Sequence, residues 1–303
     1  MGKQGTDTGS HSLWKKRAVF LAKILLSVLA LYLVYRKVDV GAIASLLRQG
    51  NWWWILPAVI TFVGSQVLSA FRLNTLFRSI GLTLTETANL RLYWLGMYYN
   101  LLLPGGIGGD AYKVVVLRKA RNVRTRDLVL TTLADRGFGL IALVSLGLLL
   151  LMPVDLGHPM TRWAFALVPI ILWVSWLVIG WIQARWKPIF WRALGISLLV
   201  QICQLLSVMA LLHLVGQPFP WTGYLVLFLA SSILAALPLS YGGAGAREIA
   251  FLYGADWLQL NQASAISISI LFYLITLIVS LSGMYFSFRA WHGMEAGHED
   301  SGK

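Results

Sequence analysis

Ser264-Ala265-Ile266-Ser267-Ile268-Ser269-Ile270-Leu271-Phe272-Tyr273-Leu274-Ile275-Thr276-Leu277-Ile278-Val279-Ser280-Leu281-Ser282-Gly283-Met284-Tyr285-Phe286-Ser287-Phe288 contains no charged side chain. It has the length of roughly 17–25 residues that a helix needs to cross hydrocarbon. Its apolar residues show no polar stripe, so the segment suits lipid as its solvent. Ala18 to Tyr35 reads the same way apart from Lys23. Further candidate spans lie near 52–71, 88–103, 127–152, 163–182, 190–214 and 221–237. Composition agrees: 58% of the 303 residues are hydrophobic and 12% are charged, against roughly 25% charged in a soluble domain.

Aromatic residues mark the ends of these blocks: Trp52-Trp53-Trp54, Trp163, Trp181, Trp186, Trp191, Trp221 and Trp291. They form the belt expected at the headgroup level. The formal net charge is +13, which in a soluble chain would suggest nucleic acid. Here the basic residues gather in short loops, the positive-inside pattern, which also suits anionic lipid headgroups. The single cysteine, Cys203, excludes an intrachain disulfide and a Cys-rich metal site. Lys15-Lys16-Arg17 before an apolar run resembles a signal-peptide start, but no small-x-small cleavage site follows. The run is read as a retained first helix.

Two segments interrupt the apolar pattern. The first is Pro104-Gly105-Gly106-Ile107-Gly108-Gly109-Asp110, and the second is Pro238-Leu239-Ser240-Tyr241-Gly242-Gly243-Ala244-Gly245-Ala246-Arg247-Glu248. Both read Gly-Gly-x-Gly-small-charged when aligned, and Gly and Pro there should not sustain a helix. A short, mildly apolar stretch follows each break. The predicted shape is a re-entrant hairpin with its Gly-rich turn at membrane depth. With the N-terminus inside, the first hairpin enters from the inside and the second from the outside. About 17 Lys or Arg then lie inside, about 4 outside and about 4 at depth. In that count Arg72 sits in an inside loop after the span at 52–71.

The expected fold is therefore an all-α polytopic membrane protein, with about six full spans plus two re-entrant, broken helical hairpins arranged as inverted repeats. The divisions are a cytoplasmic tail at 1–17, a first membrane repeat at 18–152, a second at 163–288 and a cytoplasmic tail at 289–303. Paired Gly/Pro-interrupted segments in two inverted halves are the sequence pointer to a transporter's central site.

Ionisable residues at membrane depth are costly and point to function. They are Lys23, Asp110, Lys113, Asp135, Arg136, Arg247 and Glu248. Asp110 and Lys113 are three apart and can pair on one helix face. Arg247 and Glu248 are adjacent and point apart. One arrangement sets Arg247 against Asp110 or Asp135, and Arg136 against Glu248. Two meanings stay open: an ion-pair network that holds the hairpins together, or a polar cavity for a charged headgroup. The glycines likewise permit either tight packing or close backbone approach to an anion. The substrate-binding set expected on these grounds is Pro104, Gly105, Gly106, Gly108, Gly109, Asp110, Lys113, Asp135, Arg136, Gly242, Gly243, Gly245, Arg247 and Glu248.

No phosphate loop, His-Glu-x-x-His or Gly-x-Ser-x-Gly motif occurs. No cofactor, metal site or catalytic residue is expected, and His213 near a span end reads as interfacial.

Asn100 to Lys113, together with Pro238 to Glu248, resembles the flippase-like membrane domain of lysylphosphatidylglycerol synthases. The likeness covers roughly 18–290, and Asp135-Arg136 stands where that family often carries an acidic–Arg pair. The resemblance implies a multi-pass protein of the bacterial inner membrane, with both termini cytoplasmic. It also implies movement or binding of a membrane lipid, an anionic phospholipid or lipid-linked headgroup, with a lipid-synthesising enzyme as a partner. The soluble aminoacyltransferase domain of the two-part synthases is not among these residues, so lysyl transfer is not expected. Two alternatives to a translocator remain: a membrane-embedded headgroup transferase using Asp110, Asp135 or Glu248 as acid or base, and a scaffold for a lipid-modifying enzyme.

Overall fold

The computed structural model describes residues 40–102, 108–121, 123–154, 159–236 and 246–288. The expected first span at 18–35, both tails, Pro104, Gly105, Gly106, Gly242, Gly243 and Gly245 lie outside the described residues. What is described is helical, as expected of a polytopic all-α membrane protein.

A short helix α1 (Val40–Gln49) and a 3-10 turn (Trp52–Trp54) lead into α2 (Ile55–Ser79). The first hairpin follows as α3 (Glu86–Leu102) and α4 (Gly108–Arg121), then α5 (Thr125–Leu150). A 3-10 segment (Pro159–Ala166) opens α6 (Leu167–Ile182), and a 3-10 turn (Ala184–Trp186) precedes α7 (Phe190–Leu214). The second hairpin is α8 (Thr222–Ala236) and α9 (Ala246–Trp257), followed by α10 (Gln262–Ser282) and α11 (Met284–Phe288). Five of these regions are long and apolar enough to cross a membrane: Trp52–Ser79, Thr125–Leu150, Trp163–Ile182, Phe190–Leu214 and Gln262–Phe286.

Over their described residues the hairpin helices are shorter: at 1.5 Å per residue, α3 and α8 reach roughly 25 and 22 Å, and α4 and α9 roughly 21 and 18 Å.

Two boundaries differ from expectation. Helix α2 does not stop near residue 71 but continues to Ser79, so Arg72 is a buried helical residue and not a loop charge. Gly108 and Gly109, expected in the break, open α4, and Asp110 stands with Lys113 on that helix as expected. Arg247 and Glu248 stand in the first turn of α9, the helix expected after the second break. Glycine costs roughly 1 kcal/mol in a helix interior, but the first turn adds few intrahelical bonds to lose.

Helices α2 and α7 pack along their length through small residues. Ala58, Ser65, Ser69, Ala70, Ala193, Ser197 and Ser207 are all buried, and the Ser207 hydroxyl donates across to the Ala58 carbonyl at 2.8 Å. Small residues let membrane helices approach closely, which is what dispersion and hydrogen bonding need where lipid gives no hydrophobic drive.

The other pairings come in matched couples. Helix α2 touches α5, and α7 touches α10; α4 packs on α5, and α9 on α10. Helix α8 reaches α5 while α3 reaches α10, and α5 touches α7 while α10 touches α2. The two hairpins therefore border the same two long helices, α5 and α10.

Candidate functional site

The first hairpin closes on glycine. A Cβ on Gly109 would run into the Gly96 carbonyl, so α3 and α4 meet backbone to backbone. The Asn100 side-chain oxygen accepts the Gly109 N–H at 2.8 Å, satisfying one of the donors that a helix start leaves unpaired. Tyr99 and Tyr112 stack across the pair with centroids 4.1 Å apart.

This packing fixes Asp110 and Lys113. Lys113 is buried, and its stem crosses Gly96 so closely that a Cβ there would meet Lys113 Cε. Its ammonium lies 4.5 Å from the Tyr93 ring centroid and bonds Asp110 Oδ1 at 3.2 Å. Arg136 arrives from α5, and its Nε donates to the other oxygen, Asp110 Oδ2, at 2.5 Å. Two cations share one carboxylate. The Asp110 and Lys113 side chains are 15% and 7% exposed, while that of Arg136 is 38% exposed.

Asp135 faces the other way. Its Oδ1 accepts from Arg72 Nε at 2.7 Å, and Arg72 Nη1 donates to the Ser197 hydroxyl at 2.9 Å. Ser197 passes its own proton to the Ala193 carbonyl at 2.8 Å. Arg72 is 5% exposed. This pair joins α2, α5 and α7 in the interior, away from any open surface. Adjacent residues on a helix point roughly 100° apart, which is why Asp135 and Arg136 belong to two separate clusters.

In the second hairpin, the Arg247 guanidinium lies 5.2 Å from the Phe228 ring and 4.9 Å from the Phe272 ring. It donates to the Ser232 hydroxyl at 3.2 Å. Glu248 is buried, and its Oε1 accepts from Ser269 on α10 at 3.4 Å. The described ion pairs differ from the expected pairing of Arg247 with Asp110 or Asp135: Arg136 holds Asp110 of its own half, Arg72 holds Asp135, and Arg247 lies beside the Phe228 and Phe272 rings.

The structure thus brings together Gly109, Asp110, Lys113 and Arg136, with Gly108 beside them at the start of α4. It places Asp135 in a different cluster, and Arg247 and Glu248 on the second hairpin. Sequence reasoning missed Arg72, Ser197, Tyr93, Gly96 and Asn100. Gly96 inside an apolar helix was a legible signal, since a mid-helix glycine marks close approach of a neighbour. Arg72 was hidden because a charge at the edge of an apolar window looks like the end of a span. His213 lies exposed at the end of α7, with Trp54 stacked on it at 4.3 Å and Trp221 edge-on at 4.5 Å.

Among the described residues no group of three or more His, Cys, Asp or Glu comes together. No curated protein matches the chain. A family model described as the lysylphosphatidylglycerol synthase TM region matches residues 20–190 and 181–283. With that match running over most of its length, and with its apolar helices and hairpins, the chain belongs to the lysylphosphatidylglycerol synthase transmembrane-region family.

Proposed function

We propose that this protein is a lipid translocator that takes an anionic headgroup, that of a phospholipid or a lipid-linked carrier, at the Asp110–Lys113–Arg136 cluster. The observation that carries the reading is the meeting of Lys113 and Arg136, from two helices, on one carboxylate beside a glycine-packed hairpin, with the Arg136 side chain 38% exposed. Ionisable groups at membrane depth are costly and mark sites of function. Guanidinium and ammonium groups bind phosphate oxygens by charge-assisted hydrogen bonds. The expected binding set also includes Pro104, Gly105, Gly106, Gly242, Gly243 and Gly245, which lie outside the described residues. Arg247 would supply a third cation, from the opposite hairpin.

The matched helix pairings support an inverted repeat, with 18–152 and 163–288 as its halves. Helices α5 and α10 would then be the equivalent walls between the hairpins, and acyl chains would stay in lipid while the headgroup crosses. The basic loops favour an orientation in the bacterial inner membrane with both termini in the cytoplasm.

The test is reconstitution in liposomes carrying headgroup-labelled phosphatidylglycerol, phosphatidylethanolamine and a polyprenyl-phosphate glycolipid. Wild-type protein should move at least the anionic lipid between leaflets, and Arg136→Gln should abolish most of that movement. Rates equal to those of protein-free vesicles for every lipid would defeat the proposal.

A further inference from the structure

We propose that Asp110 is an internal stand-in for the ligand: its carboxylate occupies the place of a headgroup phosphate, and binding displaces it from Arg136. This deepens the reading above and rests on it. Asp110 bridges its two cations with different oxygens, Oδ1 to Lys113 and Oδ2 to Arg136. Two non-ester oxygens of a phosphate mono- or diester can bridge the same pair of donors. The bridge also crosses elements. Lys113 and Asp110 belong to α4, whereas Arg136 belongs to α5, so the Asp110–Arg136 bond ties the hairpin to a long helix.

Access decides which of the buried carboxylates can be exchanged. The Arg72 and Asp135 side chains are 6% and 11% exposed and are backed by Ser197, so no ligand reaches them. The Arg136 side chain is 38% exposed. An anion from outside can therefore reach Arg136, while Lys113 stays fixed past Gly96 and against Tyr93. In the empty protein Asp110 bridges the two cations. In the loaded protein the phosphate does so, and the ionic tie between α4 and α5 is released. Occupancy of the site is thereby linked to the freedom of the hairpin.

The experiment titrates dioctanoyl phosphatidylglycerol into the full chain in neutral micelles, with dioctanoyl phosphatidylcholine and inorganic phosphate as controls. Removing the competitor with Asp110→Asn should tighten phosphatidylglycerol binding roughly ten- to hundred-fold, the equivalent of one charge-assisted bond. Arg136→Gln should remove it, and phosphatidylcholine should respond to neither change. The wild-type fold gives an independent readout. In a Cys203→Ser background, spin labels at the exposed positions Val115 and Val129 report the α4–α5 distance, which should shift or broaden when phosphatidylglycerol saturates the site.

If wild type binds phosphatidylglycerol but Asp110→Asn binds it equally or more weakly, displacement is wrong while the headgroup site stands. An unchanged label distance at saturation has the same meaning. If wild type and Arg136→Gln bind phosphatidylglycerol no better than phosphatidylcholine, the headgroup site itself is wrong. If inorganic phosphate alone reproduces the order of affinities, displacement stands and the lipid reading falls.

Discussion

Replacing Asp135 by leucine should be among the most damaging single changes in this protein, and replacing Arg72 at the same time should undo most of the damage. Arg72 is 5% exposed and holds two described side-chain partners, Asp135 at 2.7 Å and Ser197 at 2.9 Å. Without Asp135 the guanidinium keeps only a neutral hydroxyl. Breaking a buried pair by removing one partner costs about 3–5 kcal/mol, because the other charge is left uncompensated. Asn at 135 can still accept the Nε–H, so Asp135→Asn should recover about 1 kcal/mol of that loss.

The double change Arg72→Met with Asp135→Leu removes both charges and leaves apolar groups of similar size. Ser197 is not orphaned by it, since its hydroxyl already bonds the Ala193 carbonyl. The double variant should therefore lie within about 1–2 kcal/mol of wild type. Reversible unfolding in bicelles, run as a double-mutant cycle, measures the coupling directly. High salt should change it little, since a pair this buried is poorly screened. An Asp135→Leu cost below about 1 kcal/mol, or a double variant as unstable as the worse single, would refute the view that burial makes this pair matter.

Other consequences are simpler to check. Gly109→Ala forces a methyl into the Gly96 carbonyl and should cost about 1–3 kcal/mol, whereas Gly137→Ala has nothing within 4 Å of its new methyl and should stay within about 0.5 kcal/mol; the same unfolding assay compares them. In a Cys203→Ser background, single cysteines at Phe219 and Gln259 should react with impermeant maleimide from one side of the membrane, and those at Thr125 and Ala184 only from the other. Arg247→Lys keeps the charge but loses the flat guanidinium beside Phe228 and Phe272; it should destabilise by about 1–2 kcal/mol and slow lipid movement in liposomes, while Arg247→Met stops it.

The spans were readable from sequence because the constraint on them is local. Every backbone group in hydrocarbon must bond within its own helix, so length and apolarity alone mark the segment. The ends of α7 and α5 fall within two residues of the expected 190–214 and 127–152. Pro and Gly announced both hairpins for the same local reason. The partners of the charges were not readable. Arg72 meets groups 63 and 125 positions away in the chain, and nothing near residue 72 hints at either. A hydropathy window registers only that a charge is present and ends the helix there. The fold instead carries the helix on by delivering Asp135 and Ser197 to the same depth.

That difference separates the two clusters by role. A charge compensated by residues from three helices in a closed interior behaves as part of the scaffold, and Arg72 with Asp135 is such a case. A charge compensated by a neighbour three residues away, and reached from outside by a half-open guanidinium, is built to change partners. Asp110 satisfies both conditions: its tie to Lys113 is local to α4, and its tie to Arg136 is the most exposed ionic contact formed by the buried charges. The glycine contact at Gly96 and Gly109 then has one physical use in both states. It holds Lys113 in place whichever anion sits opposite.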